Sequence, residues 1–99
     1  MLEREVIICN RLGLHARAAA RLVRTASRFD ADIKLERADR SATADAKSIL
    51  NVLLLAASRG TKMRLTTNGV DEQQAMEAIC ELFAEGFGEE VELNSPRVS

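Results

Sequence analysis

The chain contains no tryptophan and no tyrosine, and three phenylalanines are its only aromatic residues. Its core must therefore be built mainly from Leu, Ile, Val and Ala. Proteins that bind nucleic acid by stacking use aromatic side chains and carry an excess of positive charge, whereas this chain has a net charge of −1. The composition therefore argues against a nucleic-acid partner.

Long apolar runs, a leader segment and cysteine motifs are also missing. No run approaches the ~18 apolar residues of a membrane helix, and no charged segment followed by an apolar one opens the chain. Cys9 and Cys80 have neither a CxxC nor a metal-binding spacing, so we expect them to be reduced and half-buried. These absences predict a cytoplasmic protein without membrane insertion, a metal or a cofactor.

The length allows one domain. Hydrophobic residues make up 46% of the 99 residues and charged residues 29%, which is typical of a globular protein. A chain of this size supports a single two-layer core. We expect one domain over residues 1–88, and an acidic and polar tail over residues 89–99 that is loosely ordered.

Positive and negative charges are segregated along the chain. Five arginines and no acidic residue lie between Asn10 and Phe29, and eight acidic residues and no Lys or Arg lie between Leu65 and Pro96. Two interpretations stay open, namely two solvated faces or a basic surface that meets an acidic partner. Four arginines recur at helical spacing and form what we call the arginine stripe: Arg17, Arg21, Arg24 and Arg28.

Hydrophobic periodicity predicts the element order β-α-β-β-α-β-α. The mostly apolar first strand suggests a central position, and the third strand pairs back on the second as an edge strand. Covering all the apolar faces requires an open-faced α+β sandwich, with a four-stranded, mainly antiparallel sheet and three helices on one face. The predicted strands are Glu5–Cys9, Asp32–Arg37, Ser41–Ala44 and Thr61–Thr67, and the predicted helices are Ala16–Phe29, Ile49–Ala57 and Asp71–Phe83.

The only histidine, His15, immediately precedes the first predicted helix. A helix N-terminus presents unpaired N–H groups and partial positive charge, which together bind phosphate. Arg17, in the first turn, adds a charge-assisted donor. From these residues alone, His15 is either a phosphate-accepting nucleophile or a helix-capping or surface histidine.

The second predicted helix is unusually apolar. Eight of the nine residues in Ile49–Ala57 are apolar, and a helix on the outside of a one-sided sheet cannot bury all of them. An exposed patch of this kind often marks a partner site, although a crowded core or a longer buried helix would account for the same residues. We define the apolar patch as Ile49, Leu50, Leu53 and Leu54.

Four segments in order resemble HPr, the family of histidine-containing phosphocarriers of the bacterial phosphoenolpyruvate-dependent phosphotransferase system. They are GLHAR at Gly13–Arg17, AKSI at Ala46–Ile49, RGT at Arg59–Thr61 and GVDEQQA at Gly69–Ala75. The resemblance extends over about residues 1–88.

The resemblance implies that Nδ1 of His15 accepts a phosphoryl group from phospho-enzyme I and passes it to a histidine of a IIA component. Arg17 and the N–H groups of Ala16 and Ala18 would hold the phosphate. A carrier of this kind docks through one small face, so we expect a monomer. The docking residues implied are Ala16, Arg17, Ala20, Arg24, Ile49, Leu50 and Leu53.

Two positions bear on regulation and on the site itself. Ser48 matches the serine that HPr kinase/phosphorylase modifies in some bacteria, and a phosphate there would add about −2 charge to the docking face; a plain N-cap serine is the alternative. Ala18 stands where the family usually has proline. Alanine leaves the unfolded chain more conformational freedom, which lowers the free energy of unfolding by about 0.4–1 kcal/mol. We expect transfer to survive this departure.

The sequence leaves three functions to be weighed. The first is a phosphocarrier in sugar uptake and its regulation, and the second is a carrier in a nitrogen-related branch without sugar permeases. The third is a non-phosphorylated α+β interaction module, for which replacement of His15 by alanine would leave function intact. A free-standing enzyme is not expected, because the chain has no substrate-pocket motif of its own.

Overall fold

The computed structural model describes residues 1–89. The predicted loosely ordered tail lies outside the described residues, apart from Glu89. The strands are β1 (Leu2–Ile7), β2 (Asp32–Arg37), β3 (Thr43–Asp45) and β4 (Lys62–Asn68), the helices are α1 (Ala16–Ala26), α2 (Ile49–Leu54) and α3 (Glu72–Ala84), and a short 3₁₀ turn follows at Gly86–Gly88.

The four strands form one sheet in the order β1-β4-β2-β3, and every neighbouring pair is antiparallel. The predicted open-faced α+β fold is therefore confirmed. Strands β1 and β2 run in the same direction and are joined through α1, while β4 enters between them, which is a split βαβ arrangement.

The predicted central position of the first strand is wrong, because within residues 1–89 β1 lies at the edge of the sheet and pairs only with β4. The apolar run that suggested a central strand lies largely at and beyond its end. Val6 and Ile8 are buried, whereas Ile7 points to the open face and is 47% exposed. The apolar run therefore reflects two side chains that point into the core, beside a loop. It does not indicate a strand that is buried on both faces.

The core lies between the sheet and the three helices. In β4, Met63, Leu65 and Thr67 are buried in strict alternation, as the strand period requires. Helix α1 buries Ala18, Ala19, Leu22 and Ala26, and α3 buries Ala75, Met76, Ile79 and Phe83. The small buried residues of α1 let it pack closely against its neighbours α2 and α3. Arg17, Arg21 and Arg24 of the arginine stripe accordingly lie on the exposed side of α1, and Arg28 is exposed in the turn that follows.

Two charge pairs lie on the open face of the sheet. Arg64, in β4, lies 2.9 Å from Glu3 of β1 and 2.9 Å from Glu36 of β2. Because all three side chains are partly exposed to solvent, these pairs add little stability. They join the two neighbours of β4 across the face that carries no helix.

Two helices end earlier than the periodicity predicts. Helix α1 stops at Ala26 and not at Phe29, whose N–H instead donates to the Ala26 carbonyl at 3.2 Å in a turn. Helix α2 stops at Leu54 because Ala56 takes a positive φ of 51°. The Ala57 carbonyl then turns toward the loop before α1 and accepts from the Leu14 N–H at 2.9 Å.

Candidate functional site

The loop before α1 is held against the segment that follows α2. Gly13 has a φ of +68°, and a Cβ at this position would lie 2.6 Å from the Ala57 carbonyl oxygen. No residue with a side chain fits there without a backbone shift. The Gly13 N–H donates to the Asn10 carbonyl at 3.2 Å, which closes the turn that delivers His15 to the helix.

His15 is the N-cap residue of α1. Its backbone is extended, with φ −81° and ψ −177°, and its carbonyl accepts from the Ala19 N–H at 2.8 Å. Nδ1 of its ring accepts from the Arg17 N–H at 3.2 Å. The helix-capping interpretation of His15 is therefore correct as a description of its contact, and this contact directs Nδ1 toward the N-terminus of α1.

A carboxylate holds the other ring nitrogen. Nε2 of His15 lies 2.6 Å from Oε2 of Glu89, and Oε1 of Glu89 accepts from Nδ2 of Asn10 at 3.0 Å. The Asn10 side chain is fully buried and also donates to the Gly13 carbonyl at 2.8 Å. An ionised carboxylate only accepts hydrogen bonds, so the Nε2 position carries the ring proton and Nδ1 is the unprotonated nitrogen.

Glu89 and Asn10 are the two site residues that the sequence analysis missed. Glu89 is separated from His15 by 74 residues and is the first residue of the tail that we expected to be loosely ordered. Asn10 directly follows the first predicted strand and was not among the candidate site residues. Its burial and its contact with Glu89 come only with the tertiary structure, and no local sequence signal points to either.

The end of α3 brings Glu89 to His15. Phe87 is completely buried and packs edge-on against Phe83, with ring centroids 4.9 Å apart. Phe87 takes a positive φ of 59°, and Gly88 follows at 76°. Burial of a phenylalanine contributes about 1.5–3 kcal/mol, which offsets the cost of this backbone conformation and turns the chain back over the head of α1.

The residues implied for phosphate binding and docking lie on two neighbouring helices, α1 and α2. Ala16 and Arg17 are exposed in the first turn of α1, whereas the Ala18 side chain is fully buried, so that only its backbone faces the helix N-terminus. Ala20 is half-buried and Arg24 is exposed. Helix α2 packs beside α1, so the apolar patch and most of the arginine stripe lie on neighbouring helices.

The exposed apolar patch is confirmed. Ile49, Leu50, Leu53 and Leu54 are 43%, 63%, 37% and 69% exposed, whereas Val52 is fully buried. The alternative of a crowded core fails because α2 has only two turns and directs a single side chain inward. On the other side of the arginine stripe, a groove of about 270 Å³ runs along Arg21, Arg24 and Arg28 to Leu82 of α3.

Ser48 is the N-cap of α2. Its Oγ accepts from the Asn51 N–H at 3.3 Å, and its side chain is half-buried. Ser48 therefore has the geometry of an N-cap, as the alternative interpretation predicts. Its side chain is only half-buried and directly precedes Ile49 of the apolar patch, which is compatible with modification.

Neither a metal-binding cluster nor a membrane-spanning helix is present in residues 1–89. No group of three or more His, Cys, Asp or Glu side chains in this range is arranged to hold a metal ion. Within the same residues, no helix is long and apolar enough to cross a membrane. Cys9 and Cys80 are both free and half-buried, as predicted.

Comparison with known proteins yields one family. A family model described as the PTS HPr component phosphorylation site matches residues 2–85. The chain is 50% identical over 90 residues to a phosphocarrier protein HPr of Xylella fastidiosa strain 9a5c, covering 91% of this chain and 99% of that protein. It is 44% identical to a phosphocarrier protein NPr of Shewanella violacea, covering 89% of this chain and 94% of that protein.

Solved structures agree with the sequence relatives. The structure of HPr from Thermoanaerobacter tengcongensis has a TM-score of 0.85 and 40% sequence identity, and the alignment covers 92% of this chain and all of that one. At this identity and coverage, the shared architecture and the shared sequence point to the same group of proteins.

Proposed function

Because the chain belongs to the HPr family and is a phosphocarrier of the phosphotransferase system, we propose that it accepts a phosphoryl group from phospho-enzyme I on Nδ1 of His15 and passes it to a histidine of a IIA component. The observation that carries this proposal is the orientation of Nδ1, which is unprotonated and directed at the N-terminus of α1.

The N-terminus of α1 provides the groups that would hold a phosphoryl group on Nδ1 of His15. A phosphoryl group on Nδ1 lies where the N–H groups of Ala16, Arg17 and Ala18 have no carbonyl partner within the helix. The partial positive charge of the helix end and the Arg17 guanidinium then favour the added negative charge. Ala18 retains an N–H that proline in this position would lack, so it provides one donor more.

Partners reach His15 through the surface around it. Arg17 and Arg24 of the arginine stripe attract an acidic partner, and the apolar patch on the neighbouring helix α2 contributes buried area. Charge complementarity speeds association more than it strengthens the complex, which suits a carrier that must release each partner. The protein acts as a cytoplasmic monomer, since a single face meets enzyme I and the IIA component in turn.

Ser48 is the proposed point of control. A phosphate on its hydroxyl places about −2 charge at the edge of the apolar patch and repels an acidic enzyme I. HPr kinase/phosphorylase is the enzyme proposed for this modification. The N-cap position tolerates the phosphate because the helix end is electropositive.

Sugar uptake and its regulation form the first proposed pathway. A nitrogen-related branch without sugar permeases is the second candidate, favoured by the 44% identity to a protein named NPr. Phosphoryl transfer to purified sugar-specific and nitrogen-related IIA components discriminates the two. The component phosphorylated faster at equal concentration identifies the branch.

Intact-mass measurement tests the carrier chemistry. The protein is incubated with phosphoenolpyruvate and enzyme I, beside a His15→Ala variant. We expect the gain of one acid-labile phosphoryl group in the wild type and none in the variant. No gain with an enzyme I that phosphorylates a known HPr would contradict the proposal, and an Ala18→Pro variant in the same assay then shows whether the alanine is responsible.

A further inference from the structure

Glu89 contacts the ring nitrogen of His15 that does not take part in the proposed transfer. Its two carboxylate oxygens are both engaged, one with Nε2 of His15 at 2.6 Å and the other with Nδ2 of Asn10 at 3.0 Å. The Glu89 side chain is only 13% exposed, and that of His15 is 27% exposed. The contact is therefore a partly desolvated, charge-assisted hydrogen bond with fixed geometry.

The contact lies beyond the part of the chain that the family model matches, which ends at residue 85. Three independent features of this chain assemble it: the buried Asn10, the anchored Phe87 and the short turn that ends at Gly88. The Glu89 N–H donates to the Gly86 carbonyl at 3.0 Å, so the backbone of Glu89 is also held.

We propose that Glu89 is a positioning residue for His15, which fixes the proton on Nε2, presents Nδ1 as the nucleophile and stabilises the positive charge that the ring gains during transfer. This inference rests on the proposed phosphocarrier function. A carboxylate hydrogen-bonded to the far nitrogen of a catalytic histidine acts in this way in serine proteases, where it sets the tautomer and stabilises the imidazolium.

The transfer step balances without a proton leaving the site. The Nδ1 lone pair forms the new bond to phosphorus, while the bond from phosphorus to the donor group of phospho-enzyme I breaks and its electron pair stays on the donor. The Nε2 proton remains on the ring, which becomes positively charged beside the Glu89 carboxylate. When the phosphoryl group is passed on, the electron pair of the N–P bond returns to Nδ1.

Asn10 has a supporting part in this arrangement. Its Nδ2 group donates at once to Glu89 and to the Gly13 carbonyl, so it links the carboxylate to the turn that carries His15. The three side chains form a chain of hydrogen bonds in which Asn10 and His15 donate and Glu89 accepts. Glu89 cannot rotate away without leaving a buried donor of Asn10 unpaired.

The test begins with the unphosphorylated protein, where ¹⁵N NMR of the imidazole ring reports the tautomer. His15 is the only histidine, so both ring signals are assigned without ambiguity. We expect the wild type to show a protonated Nε2 and an unprotonated Nδ1. In Glu89→Ala we expect both shifts to move part of the way toward averaged values, because a hydrogen bond to a charged group that favours one form by on the order of tenfold is lost, while the Arg17 N–H still favours an unprotonated Nδ1.

The second readout is the rate of transfer from phospho-enzyme I. In Glu89→Ala we expect kcat to fall by about tenfold with little change in KM, since the carboxylate acts on the ring and not on the docking face. Glu89→Gln, which restores an acceptor without the charge, should recover part of the tautomer preference. Glu85→Gln is the matched control, because Glu85 is exposed and the net charge changes equally.

The outcomes separate this inference from the proposed function. A wild type that phospho-enzyme I cannot phosphorylate contradicts the carrier function itself. An active wild type with the same ring shifts as Glu89→Ala, or with the same kcat, overturns the role of Glu89 and leaves the carrier function standing. Circular dichroism of each variant verifies that the fold is retained.

Discussion

The backbone N–H of Arg17 donates to Nδ1 of His15 at 3.2 Å, so the nitrogen proposed to accept the phosphoryl group also caps the helix. This hydrogen bond is long and occupies the lone pair that must attack phosphorus. When the N–P bond forms, the Arg17 N–H is released and can donate to a phosphoryl oxygen. The capping contact therefore places the nucleophile and reserves a donor for the product.

The Arg17 guanidinium is expected to matter more than the other arginines of the stripe. Arg17→Ala should lower the rate of transfer from phospho-enzyme I by on the order of 10- to 100-fold, since it removes one charge-assisted donor to the phosphoryl group. Arg28→Ala is the control, because Arg28 is exposed at the other end of the stripe. Its replacement removes the same positive charge as Arg17→Ala. Rapid-quench kinetics measure both, and equal losses would assign Arg17 to steering alone.

Leu50 of the apolar patch is expected to contribute to docking without stabilising the fold. It is 63% exposed, so Leu50→Ala should weaken the complex with enzyme I by about tenfold if Leu50 is an anchor, with no loss of Tm. Val70→Ala is the matched control, because Val70 is 89% exposed and belongs to the turn between β4 and α3 and not to the patch. Isothermal titration calorimetry gives both affinities, and an unchanged Kd for Leu50→Ala would exclude Leu50 from the interface.

Ser48 has two separable roles. Ser48→Ala should lower the free energy of unfolding by about 0.5–2 kcal/mol, since it removes the cap of α2. Ser48→Asp should keep the cap and the stability, because aspartate also accepts from N-terminal amides, yet it should weaken binding to enzyme I through its charge. Urea unfolding and a binding titration check the pair, and tight binding by Ser48→Asp would argue against control at this position.

Phe87 is expected to determine both stability and the position of Glu89. Phe87→Ala removes a completely buried ring and should cost about 3–5 kcal/mol. Phe29→Ala is the control, because Phe29 is only half-buried and should cost less. In the NMR spectrum of Phe87→Ala, the ring shifts of His15 should resemble those of Glu89→Ala. Unchanged ring shifts would mean that Phe87 does not hold the segment.

Acid should destabilise the fold through Asp71. Its carboxylate accepts from the N–H groups of Asp30 and Ala31 at 2.9 and 2.8 Å, and these bonds hold its pKa below the ordinary value of 3.8. A lowered folded-state pKa contributes stability above the unfolded value, and this contribution is lost as the pH falls through the folded value.

Asp71→Asn should therefore make Tm depend less on pH below about pH 4. Asp39 is the comparison, because hydrogen bonds from Ser41 lower its pKa to about 2, so Asp39→Asn should also make Tm depend less on pH, down to about pH 2. Thermal unfolding from about pH 6 down to about pH 2 measures both variants. A slope unchanged from wild type in Asp71→Asn would show that these bonds do not couple protonation to folding.

Much of the fold could be predicted because it depends on local periodicity. Strand β2 was predicted with its observed bounds, Asp32–Arg37, since its alternation is uninterrupted. The start of α1 at Ala16 and that of α2 at Ile49 were also predicted, because His15 and Ser48 are capping residues at those positions. The helix ends were less predictable, because Ala56 takes a left-handed conformation that no sequence signal announces.

By itself, the sequence determined the fold class and identified His15 at the head of a helix beside an arginine, because capping and periodicity act between residues only a few positions apart. Only the tertiary structure decided the edge position of β1, since strand order depends on where β4 enters the sheet. It also decided the contact between His15 and Glu89, which are 74 residues apart. That contact depends on where Phe87 packs, and residue spacing along the chain does not encode the packing of distant segments.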